Sequence, residues 1–180
     1  MLPKSEKIYI AYYKPVGVES TLNKNIENNL ADAIPISTRL FPLGRLDKAS
    51  EGLMLLTNDG KIYNRVTNSK SEKEKEYEVS VQSLIRAEFI EKMSSGIEIM
   101  GQITKPCPVK QVDDYTFNII LTQGLNRQIR RMCYKLDYEV LSLKRVRIMN
   151  IGIQNLNPGE FRYLTETEID QLKQEAGITF

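Results

Sequence analysis

Apolar positions along the chain follow two rhythms. Residues 7–13 (KIYIAYY) form an almost unbroken apolar run that Lys14-Pro15 ends, because proline brings no ladder donor, and this predicts a strand. Leu53-Met54-Leu55-Leu56 predicts a strand buried on both faces. From Lys75 to Gln82 the pattern alternates, with Tyr77, Val79 and Val81 on one face and Glu76, Glu78 and Ser80 on the other, as in a half-buried strand. Helical spacing is read at 25–33, through Ile62, Tyr63 and Val66 after the turn Asn58-Asp59-Gly60, and at 86–94 up to Gly96. It returns at 127–136 and at 166–175, the last behind a Thr165–Glu168 capping box. Further strands are expected at 97–100, 107–113, 115–122 and 138–149. Several strands are joined by short connections, which predicts a mixed, largely antiparallel sheet in an α+β fold and not a doubly wound parallel one.

A chain of 180 residues with 41% apolar content builds one domain, or two small halves sharing a core. No apolar run approaches the ~18 residues of a membrane span, and MLPKSEKIYIAYY lacks a signal-peptide pattern. A cytoplasmic protein without a membrane partner is expected. Cys107 and Cys133 stand outside any CxxC pair and are expected to be free thiols, not a disulfide or a metal site.

The absence of histidine changes the picture more. It removes Ser-His-Asp and Cys-His nucleophile activation and most zinc sites, so any catalysis falls to carboxylate, Tyr, Lys and Arg. Charge is also uneven. The net +2 conceals a block at 121–150 with seven basic residues against two acidic, the local footprint that a phosphate backbone needs. A solvated basic face has the same composition.

Three segments are candidates for chemistry. In Gly44-Arg45-Leu46-Asp47, an extended backbone turns Arg45 and Asp47 to one side and Leu46 to the core; a surface turn with an exposed ion pair also fits. After Gln123-Gly124-Leu125, residues Ile129, Met132, Cys133 and Leu136 share one helix face, and Arg127, Arg130, Arg131 and Tyr134 an adjacent basic one. Asn126 is the expected N-cap. Arginines in the first turns oppose the helix dipole at about 0.3–1 kcal/mol each, which an anionic partner would explain. On the strand from Leu141 to Met149, Arg145 and Arg147 are expected to face outward, with Val146 and Ile148 inward. Tyr77 reads as a core tyrosine, or as a stacking ring if its strand borders a cleft.

These motifs occur together in one family. Tyr13-Lys14-Pro15-Val16-Gly17, GRLDKASEGLMLLTNDG (44–60), KEYEV (75–79) and GLNRQIRRM (124–132) resemble the successive motifs of the RsuA/RluB/RluE/RluF pseudouridine synthases. LKRVRIMNIGI and PGEFRYLTETE continue the match, which runs from about residue 7 to 172. QGLNRQIRRMC with RVRIMNI is most similar to the RluF branch, which acts on large-subunit (23S) rRNA.

The resemblance implies two α+β halves on a continuous bent sheet with a central active-site cleft. It implies isomerisation of a uridine to pseudouridine in ribosomal RNA, with no cofactor and no metal. Asp47 matches the family's nucleophile, Arg130 the arginine that pairs with it, and Tyr77 the active-site tyrosine. Leu143 matches the apolar residue lining the pocket. Arg45 matches the arginine that fills the gap left by a flipped base. Arg127, Arg131, Lys144 and Arg145 are expected to hold the RNA backbone. The implied partner is ribosomal RNA or an assembling ribosomal subunit, and the protein is expected to be a monomer. Residues 1–5 are expected to be a flexible N-terminus and 6–176 the catalytic domain, without the N-terminal RNA-binding module that relatives usually carry. Two rivals are a non-catalytic RNA-binding or ribosome-assembly module on the same fold and a carboxylate-based glycosidase, for which the basic helix has no evident purpose.

Overall fold

The computed structural model describes residues 6–67 and 72–177, so the expected N-terminal segment 1–5 lies outside the described residues. The first half of the chain runs β1 (Tyr9–Lys14), α1 (Leu30–Ala33), β2 (Phe41–Pro42), β3 (Glu51–Thr57), α2 (Gly60–Thr67), β4 (Lys75–Val81) and α3 (Ala87–Ser95). The second half runs β5 (Glu98–Ile99), β6 (Gln102–Ile103), β7 (Val109–Asp113), β8 (Thr116–Leu121), α4 (Gln128–Lys135), β9 (Val140–Ile148), β10 (Ile151–Gly152), β11 (Phe161–Tyr163) and α5 (Glu166–Glu175). Two compact units result: residues 1–71 with 149–180, and residues 72–148.

In the first unit β1 lies between β11 and β3, antiparallel to both, and β2 extends the sheet beyond β3. Every residue of β1 is buried, and so is β3 after Glu51, as their continuous apolar runs require. Helix α2 follows the Asn58-Asp59-Gly60 turn. The Asp59 carboxylate accepts the Lys61 amide at 3.1 Å and the Tyr9 hydroxyl, which ties the helix start to β1. Burial, reinforced by that carboxylate, pushes the Tyr9 phenol above its usual range. Ile62 and Val66 enter the core, whereas Tyr63, expected beside them, is 39% exposed. The helix expected over 25–33 shrinks to Leu30–Ala33. Side chains compete with the helix there: Asn23 takes the Asn25 amide, Thr21 takes the Asn23 amide, and Asn28 is left-handed at φ 57°. The helix starts only at Asn29, whose side chain accepts from the Asp32 amide.

In the second unit β4 is central, antiparallel to β9 and β8, with β7 on the far side of β8. Val79, Val81, Phe117 and Ile119 form the inner face, and α3 (Phe89, Met93) and α4 (Ile129, Met132, Cys133) close over it. The apolar stripe expected on α4 is thus its core face, with Leu136 packed at the margin. The small β5–β6 ladder pairs Glu98 with Ile103 and was not expected beyond its first strand. Within each unit the ladders are antiparallel, in agreement with the α+β expectation.

Candidate active site

The Asp47 segment has no regular secondary structure, so its backbone groups must be satisfied one by one. Buried Ser20 does this for Leu46 from both sides: Oγ accepts the Leu46 amide at 3.0 Å and donates to the Leu46 carbonyl at 2.6 Å. The Lys48 carbonyl accepts the Gly17 amide at 2.8 Å, and the Asp47 carbonyl accepts the Ser50 amide at 2.9 Å. Lys14, at the end of β1, is fully buried. Its Nζ donates to the carbonyls of Val18 at 2.7 Å and Pro15 at 3.0 Å, with Lys48 at 3.4 Å. A buried ammonium demands such partners, so Lys14 fastens the YKPVG turn to the Asp47 segment. Gly44 enters the segment at φ +111°, a conformation that a side chain would resist. The expected alternation holds: Leu46 is buried, Asp47 half-buried and Arg45 exposed.

Beside this segment lies a cavity of about 670 Å³ walled by Arg45, Gly44, Phe41 and the outer face of α2. Ser20, Phe41 and the outer face of α2 were not singled out from sequence, and Lys14 stood there only as part of the Tyr13–Gly17 motif. Only the short spacing from Tyr13-Lys14-Pro15 to Ser20 could have hinted at a folded turn.

The second unit carries the other candidates. Tyr77 is half-buried on central strand β4, opposite Ile119 and Arg145, and packs against the core cluster. Leu143 is 7% exposed and belongs to that core. Arg145 corrects the outward placement expected for it, since it is only 2% exposed. The cause is a register shift: Glu76 pairs with Arg147 and Tyr77 with Arg145, which leaves Val146 as an extra residue. Leu143 and Arg145 therefore share the inner face. Arg147 is held by Glu76 at 3.2 Å and Glu74 at 3.3 Å. Burial, followed by the nearby Arg145 charge, lowers the proton affinity of Lys75. Lys144 is half-buried opposite Glu78.

Helix α4 starts differently from expectation. Arg127, not Asn126, is its N-cap; it adopts the left-handed conformation (φ 49°, ψ 39°) and makes no side-chain capping bond. Asn126 is engaged by Arg131, whose Nε donates to the Asn126 carbonyl at 2.9 Å and whose Nη2 donates to Oδ1 at 3.0 Å. Arg127 and Arg131 are exposed and Arg130 is half-buried. Burial pushes the Cys133 thiol up to about 12, partly opposed by Arg130, and burial alone pushes Cys107 up to about 11. Neither is a thiolate nucleophile near neutral pH. Among the described residues no cluster of acidic and thiol side chains is arranged to hold a metal ion.

The geometry thus supplies a carboxylate on a locked, irregular segment in one unit, and in the other a strand tyrosine and a basic helix entrance. Known proteins resemble this chain in sequence and fold. The family model for RNA pseudouridylate synthase matches residues 8–135. The dual-specificity RNA pseudouridine synthase RluF of Escherichia coli K12 is 47% identical over 165 residues, covering 92% of this chain. Only 57% of that relative is matched, so the chain spans little more than half its length. The ribosomal large subunit pseudouridine synthase B of Bacillus subtilis is 33% identical over 180 residues, covering 94% of this chain and 73% of the relative. A crystal structure of a pseudouridylate synthase superposes with a TM-score of 0.86 at 31% identity, over 93% of this chain and 74% of that one. By sequence and by fold, the chain belongs to the RNA pseudouridylate synthase family, in the RsuA/RluB/RluE/RluF group.

Proposed function

We propose that the chain converts a uridine of ribosomal RNA to pseudouridine in the cytoplasm, with large-subunit (23S) rRNA as the substrate and Asp47 as the nucleophile. The observation that carries this reading is the GRLD segment itself. It presents a half-buried carboxylate on a backbone fixed by Ser20 and Lys14, in a chain of this family. The name of the B. subtilis relative, which specifies the large ribosomal subunit, supports the choice of RNA.

The reaction is an isomerisation without net redox change. The bond between uracil N1 and ribose C1′ breaks, the base turns, C5 bonds to C1′, and the proton on C5 is lost while N1 gains one. Asp47 carries the first step as an anion, either by attack on C1′ or by promoting elimination. Arg130 is proposed to favour that anion by its charge, and Tyr77 to stack on the uracil and assist loss of the C5 proton. The uridine must leave its stack first, at a cost of roughly a few kcal/mol. Arg45 would occupy the vacancy, while Leu143 lines the uracil pocket. Arg127, Arg131 and Lys144 would hold the backbone, whereas Arg145, expected to share that task, is only 2% exposed and is not assigned it.

The test is tritium release from transcripts of 23S and 16S rRNA labelled at uracil C5. Release from a 23S transcript is expected with the wild-type chain. Asp47→Asn should reduce it by about a thousandfold or more while RNA binding persists. Binding without release from any transcript would identify a non-catalytic RNA-binding module. Release from 16S transcripts alone would move the substrate to the small subunit.

A further inference from the structure

Apart from Arg45, the residues that line the cavity have no part in the proposed chemistry. Its volume of about 670 Å³ lies within the range of about 300–1,000 Å³ usual for small-ligand sites. Its most distinctive feature is an aromatic corner. Phe41 and Tyr63 meet at ring centroids 5.3 Å apart and nearly perpendicular, at 85°. Core packing does not explain Tyr63, because Ile62 and Val66 supply the buried face of α2 and the tyrosine is 39% exposed. Asn64 adds a carboxamide to the wall, with both donor and acceptor. Arg45 adds a cation, and among the described residues none that lines the cavity is acidic.

A flat, apolar, hydrogen-bonding group attached to an anion fits this wall better than a cationic or purely aliphatic one. Such a group can lie on one ring with its edge against the other, as aromatic platforms take up bases of single strands. The site is also well placed. Arg45 lines it and Asp47, two residues further on, does not, so the two Cα atoms are at most about 7.6 Å apart. The Tyr9–Asp59 contact anchors the start of α2, which holds the aromatic corner in position relative to β1.

We propose that this cavity receives the base of an unpaired nucleotide neighbouring the target uridine, stacked in the Phe41–Tyr63 corner with Asn64 at its edge. This rests on the synthase reading and deepens it, because the cavity then selects the unpaired context of the uridine. The target base itself must stand against Asp47, outside this wall.

The probe is the shortest 23S transcript fragment from which the wild-type chain releases tritium, rebuilt with each nucleotide flanking the modified uridine made abasic in turn. One abasic replacement is expected to weaken binding to the wild-type chain by roughly five- to a hundredfold. The same replacement should weaken binding to Tyr63→Leu by about twofold or less, because the stacking partner is already gone. Tyr63→Phe should behave as wild type. If Tyr63→Leu fails to fold, Asn64→Ala, on the exposed side of the same helix, should show the same coupling more weakly. In the wild-type chain, 2-aminopurine at the sensitive position should lose fluorescence on binding. Release by the wild type, with abasic penalties equal in wild type and variant, overturns the cavity assignment and leaves the synthase reading standing. No release from any fragment overturns the synthase reading and this assignment with it.

Discussion

Helices α4 and α5 are of similar length and begin in opposite ways. Helix α5 has Thr165 as its N-cap, whose hydroxyl accepts the Glu168 amide at 3.1 Å while the Glu168 carboxylate accepts the Thr165 amide at 3.0 Å. Glu166 and Glu168 set negative charge in the first turn, where the helix dipole favours it. Arg162 donates to both Glu168 oxygens at 2.7 and 3.0 Å and joins that cap to β11. Helix α4 has none of this. A left-handed arginine precedes it, no side chain caps it, and no acid occupies its first turn. Left-handed backbone costs a residue with a Cβ roughly 1–2 kcal/mol, and cations at the N-terminus add to that cost. The α5 entrance is shaped for stability. The α4 entrance lacks these stabilising contacts and leaves Arg127 and Arg131 exposed.

This contrast can be broken most directly at Arg127. Asparagine tolerates the left-handed conformation and caps helices well, so Arg127→Asn should raise stability by about 0.5–1 kcal/mol in urea unfolding. The same change should weaken binding to a 23S rRNA transcript by about tenfold and lower the salt dependence by about one phosphate contact. The two effects have opposite signs, which is the mark of a residue kept for binding. A variant that loses stability and keeps its RNA affinity would make the α4 entrance an ordinary structural turn.

The complementary change is Thr165→Ala in α5. Losing the hydroxyl half of the capping box should cost about 1 kcal/mol. RNA affinity and its salt slope should stay as in the wild type, which filter binding at two ionic strengths would check. A fall in affinity comparable to that of Arg127→Asn would erase the distinction between the two helix starts.

The two entrances were also unequally legible in the sequence. The Thr165–Glu168 box is local, four residues in a row, and α5 spans Glu166–Glu175 as the spacing predicts. The buried stripe of α4 was equally plain because Ile129, Met132 and Cys133 follow helical periodicity. The left-handed state of Arg127 was not, because nothing near it in sequence demands that conformation. Arg145 shows the same limit. Period-two alternation sends it outward, and only the extra residue Val146, visible once β9 is paired with β4, turns it inward. Lys14 ends an apolar strand and would ordinarily point to solvent. Its burial depends on carbonyls supplied by Val18 and by Lys48, which is far away along the chain. The motif around Asp47 was legible as a motif, but the hydrogen bonds that hold it are tertiary.

The smallest expected effect tests the electrostatic half of the α5 cap. The Glu168 carboxyl is held below the usual carboxylate range, first by the hydrogen bond from Arg162 and against an opposing contribution from burial. A depressed value in the folded state means that the stabilisation is present above the unfolded carboxyl's value of about 4.3. It is then lost as the pH falls through the lower folded value. The pair is partly solvated, with side chains 22% and 16% exposed, so screening keeps the net effect below about 1 kcal/mol. Glu168→Gln should therefore be slightly less stable than the wild type at pH 7, and the gap should close on acidification below about pH 4. Urea unfolding of both chains across this range measures it. A gap that persists unchanged in acid would assign the contribution of Glu168 to its shape and neutral hydrogen bonds, leaving the dipole and Arg162 no share in what separates α5 from α4.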